Sequence, residues 1–110
     1  MARVVAVFDD LLLGSNVAGM LGAAGHQVRL APDPAGLEAD VVVVDLGSAG
    51  IDGVALIGRR GADGARWLGV YSHVHHDVKL RAEAAGFDLV VPRSRMMREG
   101  AALVARLAAG

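Results

Sequence analysis

The sequence predicts a doubly wound α/β domain, with five parallel strands in the order 2-1-3-4-5 and helices on both faces of the sheet. Three observations carry this. Unbroken apolar runs such as Val4-Val5-Ala6-Val7-Phe8 and Val41-Val42-Val43-Val44 are the pattern of strands buried on both faces. Strand and helix patterns alternate five times along the chain, as βα units do. The 110 residues suit one domain, whereas a β/α barrel needs about twice that length.

The first strand is expected at Arg3–Phe8. A helix follows, with Val17, Met20, Leu21 and Ala24 at helical spacing and Gly25 as its stop. Gly14, Gly19 and Gly22 inside it cost up to ~1 kcal/mol each relative to Ala, which close packing on the sheet would offset. The second strand is His26–Leu30. The segment Ala31-Pro32-Asp33-Pro34-Ala35-Gly36 reads as a turn, so the second helix is short or degenerate. The third strand is Val41–Asp45. The third helix runs roughly Asp52–Arg60, with Asp52 as N-cap and Val54 and Ile57 facing inward. The fourth strand is Arg66–Ser72, and its helix starts near Asp77 and ends at Gly86, with Leu80, Ala84 and Ala85 facing inward. The fifth strand, Asp88–Val91, stops at Pro92. The last helix spans about Arg98–Ala109, with Leu103, Val104, Leu107 and Ala108 on one face. A single domain covers 1–110.

Composition narrows the function classes. A hydrophobic fraction of 54% with only 4% aromatic residues means a core of Val, Leu, Ala and Ile. The net charge of -1 gives no argument for nucleic acid or an anionic membrane. Without cysteine there is no disulfide framework, thiolate metal site or Cys nucleophile. No apolar run approaches the ~18–20 residues of a membrane span, and the N-terminus lacks a signal-peptide layout. A soluble cytoplasmic protein is expected, and the richness in Gly, Ala, Val and Arg fits a GC-rich bacterial source. No G-x-G-x-x-G follows the first strand, and neither a P-loop nor a G-x-S-x-G elbow is present. Leu11-Leu12-Leu13-Gly14 offers little to a flavin phosphate, which the neighbouring acids would repel.

The chemistry gathers at strand ends. Asp9 and Asp10 follow the first strand and Asp45 closes the third. In open α/β sheets the working groups lie outside the carboxyl ends of the strands, where the strand order reverses. With strands one and three adjacent, the three carboxylates converge on one site suited to a hard divalent cation and a phosphorylatable aspartate. The plainer reading is that Asp45 ends a strand and caps a loop, and that Asp9 or Asp10 caps the first helix.

The arrangement resembles the receiver domain of bacterial response regulators, CheY-like in its order of motifs and flavodoxin-like in fold, a three-layer sandwich. The resemblance covers the whole chain. Phe8-Asp9-Asp10 is similar to the acidic pair that closes the first receiver strand, and Ala24-Gly25-His26-Gln27-Val28 to the entry into strand two. Val42-Val43-Val44-Asp45, followed by Ile51-Asp52-Gly53, is similar to the phosphoacceptor segment. Ser72 stands where receivers place a switch Ser or Thr, and Ala85-Gly86-Phe87-Asp88-Leu89-Val90-Val91-Pro92 resembles the run into strand five. The resemblance implies Asp45 as phosphoacceptor, Mg²⁺ held by Asp9, Asp10, Asp45 and the Gly47 carbonyl, and Ser72 and Arg93 as sensors of the phosphoryl group. It also implies a histidine kinase or phosphotransfer protein as donor, and a downstream partner or a homodimer through the face of helix four, strand five and helix five. A signalling role rather than an enzymatic one follows.

The sequence departs from the family at several points. Arg93-Ser94 stands where receivers have a lysine usually followed by proline, and Ser48-Ala49-Gly50 replaces the Met-Pro of the phosphoacceptor loop. Leu11-Leu12-Leu13 occupies a usually polar place. Arg is a planar fork and Lys a compact point charge, so Arg93 could pair with a phosphoryl oxygen, form a bidentate pair with Asp45 or Asp10, or be a solvated loop cation. Two roles stay open: a phosphorylated receiver, and an interaction module that keeps the fold without phosphorylation. A small-molecule-binding flavodoxin-like domain is a third. His73, His75 and His76 with Asp77 invite a zinc reading, but a structural zinc site wants about four spaced ligands and only His26 lies elsewhere, so Asp77 reads better as an N-cap. Arg93, Arg95 and Arg98 with Met96 and Met97 form either a partner surface or exposed arginines above buried methionines. No recognition helix for DNA is evident.

Overall fold

The computed structural model describes residues 2–47, 52–57, 64–72 and 74–110. Expectations for Ser48, Ala49, Gly50, Ile51, Arg60 and His73 lie outside these residues. The elements are β1 (Arg3–Val7), α1 (Leu11–Ala23), β2 (Gln27–Leu30), β3 (Val41–Asp45), α2 (Gly53–Leu56), β4 (Arg66–Tyr71), α3 (His76–Ala85), β5 (Leu89–Pro92) and α4 (Arg93–Ala109). All strand pairs are parallel and the order is β2-β1-β3-β4-β5, as expected.

The apolar runs divide between two faces because successive strand residues point opposite ways. Val4, Ala6, Val41, Val43, Leu68 and Val70 pack against Val17 and Leu21 of α1 and Met96, Leu103 and Val104 of α4. Val5, Val7, Val42, Val44, Trp67 and Tyr71 pack against Leu56 and Ile57 at α2 and Ala82 of α3. Every residue of β3 is buried, as befits the central strand.

No helix joins β2 to β3. Pro32 and Pro34 disfavour one, and the chain turns through an Asp33 carboxylate that accepts from the Ala35 N–H at 2.9 Å. Ala31, Leu37 and Ala39 cover the sheet where a helix would lie. Gln27 and Arg29 of β2 remain exposed, and their polarity suits a strand with no helix above it. At the opposite end of the sheet, Asp40 accepts the Arg3 N–H at 2.8 Å. That hydrogen bond, aided by the Arg3 guanidinium, holds the Asp40 carboxyl below the usual carboxylate range.

Two boundaries, one helix face and one packing expectation differ from the sequence reading. Leu80, Ala84 and Ala85 of α3 are exposed, because the helix rests on the sheet through Ala82 and Val78. The last helix starts at Arg93, not near Arg98, because Pro92 both closes β5 and serves as N-cap with φ -70°; the arginine–methionine cluster is therefore its first two turns and not a loop before it. Asp77 is not the N-cap of α3: His75 holds that place, fixed by a turn in which its N–H donates to the Ser72 carbonyl at 2.8 Å. Asp77 sits instead in the first turn, where a carboxylate favours the positive end of the helix dipole. Finally, only Gly14 packs closely on the strand beneath α1, where a Cβ would lie 2.9 Å from the Phe8 Cβ; Gly19 and Gly22 face open space.

Candidate functional site

The strand ends bring the expected residues to one edge. Val7 at the end of β1 pairs with Val44 of β3, so the chain leaves β1 at the level of Asp45 and Asp9 and Asp10 follow just beyond. Tyr71 of β4 pairs with Pro92 of β5, which sets Ser72 and Arg93 at the same level as the next residues of neighbouring strands. Asp45 itself pairs with Val70, and the following Leu46 N–H donates to the Val70 carbonyl at 2.8 Å.

Asp45 is fully buried, at 0% exposure. Its Oδ1 accepts from the Gly47 N–H at 3.0 Å, the short local turn that Asp favours. The same oxygen lies 3.6 Å from Arg93 Nη2. The contact is single and long, so it is not the bidentate pair that a guanidinium and a carboxylate can form. Asp45 Oδ2 and Arg93 Nε are both buried and have no hydrogen-bond partner among the described residues. Gly47 makes room for the guanidinium: a Cβ there would stand 3.3 Å from Arg93 Nη2 and 3.5 Å from Asp45 Oδ1. Below, Gly53 lets the start of α2 press on the strand, since its Cβ would come within 2.8 Å of Val44 Cγ1.

The remaining residues are less engaged. Asp10 caps α1, accepting the Leu13 N–H at 3.0 Å through Oδ1. Both Asp9 and Asp10 are exposed, and Ser72 is half-buried. Next to them in the chain, Leu11 (82% exposed), Leu12 (73%) and Val74 (71%) are exposed apolar residues. His75 and His76 are exposed at the start of α3. Met96 is buried, while Met97 and Arg98 are exposed. Sequence spacing signals neither the guanidinium seat on Gly47 nor the close seat of Gly53; the Asp52-Gly53 pair is legible only as part of the resemblance.

Among the described residues no three Asp, Glu or His side chains gather closely enough to hold a metal ion. Of the described residues a divalent ion would therefore take at most two side chains, and it would complete its shell with carbonyl and water oxygens, as Mg²⁺ commonly does. The buried, partnerless Oδ2 of Asp45 fits such an ion, because buried acceptors in folded proteins nearly always meet a donor or a cation.

No model of a known protein family matches the sequence, and no curated protein matches it either. Solved structures do match. The Francisella response regulator 1452 receiver domain superposes with a TM-score of 0.81 at 18% identity, covering 99% of this chain and 98% of that one. The signal receiver domain of a signal transduction histidine kinase from Syntrophus aciditrophicus gives 0.82 at 17%, covering 100% and 92%. A response regulator from Burkholderia pseudomallei, solved with a phosphorylated aspartic acid, calcium ion and citrate, gives 0.81 at 19%, covering 99% and 69%. With its strand order, its two helical layers and its buried strand-end aspartate, the chain has the fold of the response-regulator receiver domain.

Proposed function

We propose that the chain is a receiver of a two-component system, with Asp45 as its phosphoacceptor. The observation that carries this reading is the fully buried Asp45 carboxylate at the end of the central strand, with one oxygen unpartnered among the described residues. In the proposed reaction an Asp45 oxygen attacks the phosphorus of a histidine kinase or phosphotransfer protein's phosphohistidine. An acyl phosphate forms as the bond to the donor imidazole breaks. Mg²⁺, when bound, neutralises charge on the transferring group. Asp45 with Asp9 or Asp10 and the Gly47 carbonyl would hold the ion. Asp9 is the freer of the pair, because one oxygen of Asp10 already caps α1. The Ser72 hydroxyl donates to a phosphoryl oxygen, and Arg93 pairs with another. The signal passes to a downstream protein, or to a second copy, through the α3–β5–α4 face, where Leu80 is 57% and Met97 39% exposed. Among the described residues no helix is long and apolar enough to cross a membrane, and a cytoplasmic, bacterial setting accords with the reading.

A phosphorylation-independent interaction module is the second reading. The Arg93–Asp45 contact and the exposed Leu11 and Leu12 favour it. Amide NMR spectra with Mg²⁺, before and after beryllofluoride, decide between the two, with Asp45→Asn as control. Shifts running from Asp45 through Ser72 into α3, absent from the control, are expected of a receiver. Spectra unmoved by both additions would leave the interaction module.

A further inference from the structure

The contact between Asp45 and Arg93 deepens the receiver reading, and the role assigned to it rests on that reading. A buried carboxylate with no compensating charge is strongly disfavoured. Among the described residues the one cation in contact with Asp45 is Arg93, at 3.6 Å. We infer that Arg93 is the resident counter-ion of Asp45 and competes directly with the divalent cation for that carboxylate, so that it sets the metal affinity of the site.

Three features of the chain place it in this role. The strand β5 passes into α4 without a loop, so the Arg93 backbone is held by the sheet through the Pro92–Tyr71 pair and by the helix it opens. The guanidinium lies over Gly47, the residue whose carbonyl the receiver reading gives to the metal, so close that an added Cβ there would stand 3.3 Å from Nη2. The grip is incomplete: one nitrogen approaches one oxygen at a long distance, while Asp45 Oδ2 and Arg93 Nε stay unpaired. A contact of this kind can be displaced. A divalent ion arriving at Oδ2 brings two positive charges beside the guanidinium, and repulsion in a partly dry site either weakens the ion or drives Arg93 outward. With a side chain 40% exposed, Arg93 has solvent to move into.

The test is Mg²⁺ titration by amide NMR and by thermal unfolding, on the wild type, Arg93→Ala and Asp45→Asn. Arg93→Gln, which keeps most of the stem and removes the charge, serves if Arg93→Ala does not fold. The charge-removed variant is expected to bind Mg²⁺ at least about tenfold more tightly than the wild type. It should also melt lower without metal and recover more on adding Mg²⁺, while Asp45→Asn binds none. Equal affinity in the wild type and the Arg93 variant would overturn the inference and leave the receiver reading intact. Absence of Mg²⁺ binding in all variants would overturn both.

Discussion

His26 shows how one polar side chain can tie distant segments together. Its Nδ1 accepts the Ala2 N–H at 3.1 Å, and its Nε2 lies 3.2 Å from the Ala101 carbonyl. Both contacts are met by a neutral ring with the proton on Nε2, so the imidazole links the entry of β1 to α4. Replacing it by Phe keeps the bulk and removes both partners. His26→Phe is expected to lower stability by about 1–3 kcal/mol in urea unfolding, the cost of leaving a buried group unpaired. A loss within error would mean that the ring contributes by packing alone. Asp40 makes a complementary prediction at acid pH. Its carboxyl is held below the ordinary range chiefly by the Arg3 N–H, so the ionised form favours the fold. That contribution is complete above the ordinary carboxylate pKa and is lost as pH falls through the lowered one. Asp40→Asn should therefore flatten the acid limb of a plot of melting temperature against pH. An unchanged limb would remove Asp40 from the account.

Within α1, glycines that look alike in the sequence do different things. Gly14 is buried against the Phe8 Cβ, an atom bound to backbone that cannot swing aside. Gly14→Ala is expected to destabilise by about 1–3 kcal/mol through overpacking. Gly19 and Gly22 have nothing within 4 Å of an added Cβ, so alanine at either should stabilise by about 0.5–1 kcal/mol through helix propensity. Thermal unfolding of the three single variants checks the contrast, and a common sign for all three would refute it. Spacing and propensity mark a helix here but cannot say which turn rests on the strand. The start of α4 was hidden for a related reason. A proline after an apolar strand reads as a stop, yet its φ equally suits the residue before a helix, and the sheet register decides between them.

At the scale of the molecule, the unequal cover of the sheet should govern its dynamics. β3 is buried throughout, with partners on both sides, whereas β2 is an edge strand with only its Val28 half-buried. The helix-free crossing from β2 to β3 covers the sheet only through the partly buried Ala31, Leu37 and Ala39. Amide exchange is expected to be slowest in β3 and β4 and fastest among the strands in β2, because local opening is easiest where few apolar contacts hold the backbone. Protection of β2 equal to that of β3 would show that the 31–40 segment acts as firmly as a helix.

Pattern along the chain was enough to define the layers, the strand order and the edge at which the acids collect. Unbroken valine runs fit strands covered on both sides, and parallel strands direct their carboxyl ends to one edge. Pattern also marked Asp52 as a cap, for Asp52 Oδ1 accepts the Ala55 N–H at 3.3 Å. The assembled fold was needed to show that Asp10 is engaged as a cap while Asp9 is free of that task, that Asp45 keeps one unpaired oxygen, and that Arg93 lies over Gly47. Local pattern reports the company a residue keeps within a turn or two of chain. The pairing of a carboxylate at the end of one strand with a guanidinium at the end of another depends on register, on the exit angle of a helix and on the space above a glycine, and those are set when the sheet closes.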